Sequence, residues 1–198
     1  MMIPENDYKI LHCRFGEVLL DEDIFYRVHG TPKPRPYHKF KKITGLYNTN
    51  GTICCYFAKN PKKYVLSRLI MNAGRKDIID HISRNPLDNQ RSNLRKVNSR
   101  QNNLNTNCRS NTGFFGVCRN LRKGRRCLIA RFRGEAGRQY SFVAPDTENN
   151  RILCAFAHDK FVLQSGDEEY APLNFGCFKY EPFKSFLLKE NLYEYKEK

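Results

Sequence analysis

Asp80 and His81 stand side by side in a strongly basic chain. They pair a hard oxygen ligand for a divalent cation with an imidazole that titrates near neutral pH. Alone the pair is a weak signal, because most Asp-His dipeptides are surface or capping residues. The charge around it is less ordinary. From Arg91 to Arg138 the chain carries 13 Arg or Lys and one acid, Glu135, and this stretch supplies most of the net +15 of the 198 residues. Charge gathered in a quarter of the chain argues for a face that meets a polyanion, and nucleic acid is the expected partner. The bland alternative is a solvated surface with no partner. A membrane surface fits less well, because the basic positions do not fall on one face of a long amphipathic helix.

The eight cysteines add no chemistry of their own. None of their spacings gives a C-x-x-C pair and only Cys54 and Cys55 are adjacent. Structural zinc sites use close ligand pairs, so zinc is not expected and the thiols read as small, reduced hydrophobes.

The elements that must position these groups can be read from pattern. Residues 77 to 105 give a strand over Asp77 to Ile82, a turn-rich stretch over Arg84 to Asn93, and a returning strand over Leu94 to Val97. Asn98 then predicts a helix N-cap, with Gln101 three residues on as its capping-box partner. Upstream, Asp21 to Val28 is helix-like. Pro32, Pro34 and Pro36, interleaved with basic residues, form an extended connector. Asn50-Gly51 sits between β-rich runs and predicts a hairpin, and Tyr64 to Met71 predicts a short buried helix. Downstream, GFFGVCRN, RCLIARFR and RQYSFVAP are three strand candidates, followed by Asp146-Thr147-Glu148 and the amphipathic run ILCAFAHDKFVL. A second helix is expected over Pro182 to Asn191. No apolar run approaches the roughly 20 residues that span a bilayer, and the opening MMIPENDYKILHC lacks a basic region and an apolar core. An intracellular protein is expected, in the cytoplasm or nucleus of a host.

DHISRNPLDNQRSNLRKVNSRQNN, from Asp80 to Asn103, resembles the HNH homing endonuclease motif, the ββα-metal nuclease site of phage and intron-encoded enzymes. The resemblance rests on Asp80, His81, Ile82, Asn85, Asp88, Asn89, Asn93, Leu94 and Arg95, with Asn102 seven residues after Arg95. It implies that Asp80 and Asn102 ligate one Mg²⁺ or Mn²⁺, that His81 is the general base, and that Asn93 braces the loop holding the His ring. Two oxygen ligands leave room for water and phosphate on the cation. Consecutive strand residues point to opposite faces, so Asp80 and His81 share a site only if the strand ends or twists there. The family glycine of the turn is Arg84 here, which shifts the expected positive φ to Asn85. Ser67-Arg68-Leu69 stands where many relatives have His-Arg-Leu.

A second stretch is similar to an APETALA2-like DNA-binding domain. The similarity lies in Thr112-Gly113-Phe114-Phe115-Gly116-Val117, Ala130-Arg131-Phe132, Asp146-Thr147, Ala157-His158-Asp159 and Ala171-Pro172-Leu173-Asn174-Phe175, with Leu128 in place of the usual strand tryptophan. The resemblance implies a sheet laid in the DNA major groove. Candidate contacts are Arg100, Arg119, Arg122, Lys123, Arg125, Arg126, Arg131 and Arg133. Arg131 and Arg133 share a strand face, whereas Arg122 to Arg126 lie in a hairpin turn suited to phosphates.

The expected fold class is α+β, a ββα-metal nuclease core plus a three-stranded antiparallel sheet with one helix. The expected divisions are residues 1–72 as an accessory region with a hairpin, 73–108 as the nuclease motif, 109–176 as the DNA-binding domain and 177–198 as an extension. A DNA-binding regulator with an inactive nuclease motif, or an RNA-binding protein, are the competing readings. Double-stranded DNA is the expected partner, with no membrane and no obligate protein partner.

Overall fold

The computed structural model shows a mixed α+β chain whose short strands form small, separate antiparallel sheets. It describes residues 8–29, 43–57, 60–107 and 110–197. The proline-rich connector from Pro32 to Pro36 lies outside the described residues. The chain divides into two compact units, Met1–Asn102 and Asn103–Lys198.

The first unit opens with a hairpin that the sequence pattern did not announce, β1 (Tyr8–Cys13) against β2 (Gly16–Asp21), followed by helix α1 (Glu22–His29). Strands β3 (Ile43–Thr49) and β4 (Thr52–Phe57) are joined by Asn50-Gly51, both at positive φ (49° and 83°), the turn expected from that dipeptide. Strand β5 (Asn60–Val65) completes this sheet and shortens the helix expected from Tyr64. Tyr64 and Val65 pair with Cys55 and Cys54, leaving α2 only Leu66–Ile70. Val18, Leu20, Ile24, Ile43, Ile53, Cys55, Leu66, Ile70 and Leu94 form one buried core. The region expected to be an accessory therefore packs in one core with Leu94 of the motif. Next come β6 (Ile78–His81), β7 (Leu94–Val97) and α3 (Ser99–Leu104). Asn98 and Gln101 exchange the two hydrogen bonds of a capping box at 2.9 and 2.8 Å, which starts α3 despite its poor helix formers.

In the second unit β8 (Val117–Arg122), β9 (Arg125–Arg133) and β10 (Gln139–Pro145) form a meander, with α4 (Glu148–Ser165) behind it. β8 starts four residues later than GFFGVCRN suggests, because Gly113 and Gly116 take positive φ. Thr147 caps α4 by accepting from the Asn150 amide. Strand alternation places Leu128, Ala130 and Phe142 against Leu153, Cys154 and Ala157 of the helix. Leu128, fully buried, fills the centre of the sheet. Asp159, also fully buried, accepts from the backbone amides of Asn174 and Phe175 at 2.8 and 2.9 Å. Asn174 in turn accepts from Phe115 at 2.7 Å, so these motif residues staple the fold together. Helix α5 (Phe183–Lys189) and the tail belong to the same unit. Phe178, Leu187 and Leu192 enter the core, and Glu197 binds Thr147, Asn149 and Asn150 at the start of α4. A boundary at residue 176 would strip three side chains from that core. Among the described residues no helix is long and apolar enough to cross a membrane.

Candidate functional site

β6 and β7 pair Asp80 with Arg95 and His81 with Leu94, so alternation puts Asp80 and His81 on opposite faces of a two-stranded ribbon that ends at His81. Asp80 is buried, and its Oδ2 receives both Nε and Nη2 of Arg95, at 2.9 and 2.8 Å. A two-nitrogen bond of this kind fixes the carboxylate as well as neutralising it. Just upstream, Arg68 donates to the carbonyls of Asp77, Gly74 and Arg75, tying α2 to the lead-in of β6. Asp77 accepts from Lys96 on the paired strand, and that bond, then the Gly74 amide, draws its carboxyl below the usual range. Ser67 is buried in α2.

The connection from β6 to β7 is held by its asparagines. Asn93 Oδ1 accepts from the Ser83 amide and its Nδ2 donates to the Asp88 carbonyl, both at 2.8 Å, so one buried amide spans the loop. Asn89, 1% exposed, donates to the Pro86 carbonyl at 2.8 Å and turns its Oδ1 to Nε2 of His81 at 3.4 Å. With the amide nitrogen committed to Pro86, the Asn89 oxygen is the acceptor in that contact, which favours the ring tautomer protonated on Nε2. Asn89 belongs to the motif string but was not among the expected site residues. Its neighbours are half-buried or exposed, so its own burial becomes readable only once the loop is seen folded inward.

The turn corrects one expectation. Arg84 itself takes positive φ, 63°, and Asn85 does not. The Arg84 amide closes the turn on the His81 carbonyl at 2.8 Å, while Asn85 accepts from the Leu87 amide at 3.1 Å as a side-chain-capped turn. That use of Asn85 leaves the left-handed residue at the glycine position. Asn102 lies in the second half of α3, half-buried, with its amide on the Asn98 carbonyl at 3.0 Å; Arg100, also half-buried, is in the first half.

The arginines of the second unit divide by register. Arg122 pairs with Arg125, Ser141 with Arg131 and Gln139 with Arg133, which puts Arg122, Arg125, Arg131 and Arg133 on the face away from α4, all exposed. They stand at the two ends of that face, with Cys127 and Ile129 buried between them. Lys123 and Gly124, at φ 49° and 73°, make the tight turn between Arg122 and Arg125. Arg119 and Arg126 fall on the other face. Arg119 is taken up within the fold, donating to Asp146 at 3.2 Å and to the Asn111 carbonyl at 3.0 Å. The three strands contain no acidic residue. His158 is a packing residue. It is buried beside Asp159 and sits so close to Gly116, at φ 66°, that an added Cβ would meet its ring at 2.0 Å.

Among the described residues no group of three or more His, Cys, Asp or Glu side chains is arranged to hold a metal. No family model, no curated protein and no solved structure matches the chain.

Proposed function

We propose that the chain is a metal-dependent HNH endonuclease that hydrolyses a phosphodiester bond of duplex DNA. The observation that carries this reading is the inward-folded β6–β7 loop, in which Asn93 bridges Ser83 and Asp88 and Asn89 faces the His81 ring. A loop built only to bind phosphates needs no buried amide facing an imidazole. His81 takes the proton of the attacking water at Nδ1, and Asn89 holds the tautomer in which that atom is basic. Asp80 and Asn102 would hold a Mg²⁺ or Mn²⁺ ion. The donor set fits a hard cation, because both are oxygen ligands and a carboxylate has about four acceptor positions. A bound cation supplies charge neutralisation at phosphorus and the leaving oxygen. Arg122, Lys123 and Arg125 grip phosphates, and Arg131 and Arg133 face the duplex from the other end of the sheet.

A second reading, a DNA-binding regulator with an inactive motif, draws on the ion pair that already neutralises Asp80. Supercoiled plasmid incubated with the pure protein separates the two. Nicked or linear product that requires Mg²⁺ or Mn²⁺ supports the nuclease. Tight duplex binding without product under either ion overturns it in favour of the regulator, and preference for RNA over duplex DNA removes both.

A further inference from the structure

We infer that Asp21, Asp23 and Arg91 are positioning residues for His81, making the N-terminal hairpin and α1 a working part of the candidate catalytic loop; this rests on the nuclease reading above. β2 pairs with β1 along one edge and offers its other edge to the loop. The Leu19 amide donates to the Leu87 carbonyl at 3.0 Å and the Leu19 carbonyl accepts from the Asn89 amide at 2.9 Å, a parallel bridge alongside Asp88. The residue so gripped, Asn89, is the one whose side chain faces His81. Gly16 leaves only enough room for Leu87, since an added Cβ would stand 2.9 Å from Leu87 Cδ1.

Two residues further along β2 the same N-terminal segment holds the loop a second time. Asp21 Oδ2 accepts the Arg91 backbone amide at 3.1 Å and so caps the short 3-10 turn Arg91–Asn93 from outside. The Arg91 guanidinium binds Asp21 at 2.9 Å and forks onto both oxygens of Asp23 at 2.7 and 2.8 Å. That turn delivers Asn93 to Ser83 and Asp88. Direct contacts therefore join Asp21 and Asp23 to Arg91, whose 3-10 turn carries Asn93, and join Leu19 to Asn89, whose side chain faces the imidazole. Isolated surface ion pairs contribute little, but here two acids, each about a quarter exposed, fix one guanidinium in a planar fork. The same contacts keep Arg91, the first base of the basic stretch, off the phosphates.

The test uses the full chain, well below its melting temperature, with Arg91→Ala, Asp23→Asn and the conservative Asp23→Glu. Plasmid cleavage should fall in kcat by about 10-fold to 100-fold for the first two, the scale of a misplaced reacting group. KM for DNA should stay constant and Asp23→Glu should recover most of the rate. The salt dependence of duplex binding should be unchanged in Arg91→Ala. Nitrogen-15 NMR of the imidazoles should show His81 as the Nε2–H tautomer in the parent and as a mixture in Arg91→Ala. An unchanged kcat and tautomer would overturn the inference, as would a logarithmic salt slope smaller by about 0.9, which would make Arg91 a phosphate contact. If the parent chain does not cut DNA, the nuclease reading fails separately and the tautomer decides. A ring indifferent to Arg91 overturns the coupling, and a ring that loses its Nε2–H state upholds it. Should Arg91→Ala not fold, Asp23→Asn reads the same quantities.

Discussion

Replacing Asn93 by Ala tests the loop that carries the functional reading. The lost amide is 8% exposed and makes two 2.8 Å hydrogen bonds, one to each limb of the connection between β6 and β7. Each bond is worth about 0.5–1.5 kcal/mol net, and a buried group left unpaired costs more. Ser83 is exposed, so water can take over its amide, while the half-buried Asp88 carbonyl is harder to satisfy. The expected destabilisation is about 2 kcal/mol. Asn93→Asp sharpens the test. It keeps the shape and the acceptor for Ser83 but sets a carboxylate oxygen against the Asp88 carbonyl where Nδ2 now donates. At neutral pH it should cost at least as much as Ala, and acidification should recover stability as the protonated group becomes a donor again. Urea unfolding followed by circular dichroism gives the energies, and hydrogen exchange at the Ser83 amide localises them. An Asn93→Ala midpoint corresponding to less than about 0.5 kcal/mol, with unchanged Ser83 protection, would refute the reasoning.

Arg122→Ala with Arg125→Ala should flatten the logarithmic salt slope of duplex binding by up to about two units, whereas Arg119→Ala, already bonded to Asp146, should leave it alone; fluorescence anisotropy at several salt concentrations distinguishes them. Gly116→Ala combines a φ of 66° with a Cβ 2.0 Å from the His158 ring and should destabilise by at least about 3 kcal/mol in calorimetry; a loss under about 1 kcal/mol would mean the buried ring can move aside. The Arg91 hydrogen bond holds the Asp23 carboxyl below its usual range. Folding therefore gains from the ionised form, a gain complete above about pH 4 and lost as pH falls through the lowered folded value. Urea midpoints should fall on acidification more steeply in the parent than in Arg91→Ala, and parallel profiles would count against the pair.

Much of the ββα segment and the sheet-and-helix unit was legible because their signals are local. Asn98 and Gln101 are three residues apart, Thr147 caps the helix it precedes, and Leu128, Ala130 and Phe132 alternate with Ile129, Arg131 and Arg133. What the sequence withheld depends on distant partners. β2 gains a neighbour about 70 residues away through Leu19 and Leu87, and nothing near either residue marks it. Arg119 looked like its neighbours until register placed it on the helix side of the sheet beside Asp146. Arg84 carries the left-handed turn because Asn85 is occupied as an acceptor, a choice made by side-chain bonding rather than propensity. Asn89 faces His81 because β2 holds its backbone, again a long-range cause.

The central claim, that His81 takes a proton from water in a metal-dependent phosphodiester cleavage, is tested most directly by His81→Ala on supercoiled plasmid with and without Mg²⁺, read beside duplex affinity under the same salt. The predicted result is a cleavage rate lowered by roughly 10²-fold or more with duplex affinity and melting temperature near those of the parent. Cleavage by His81→Ala at the parent's rate, or equal losses in binding and cleavage, would contradict it.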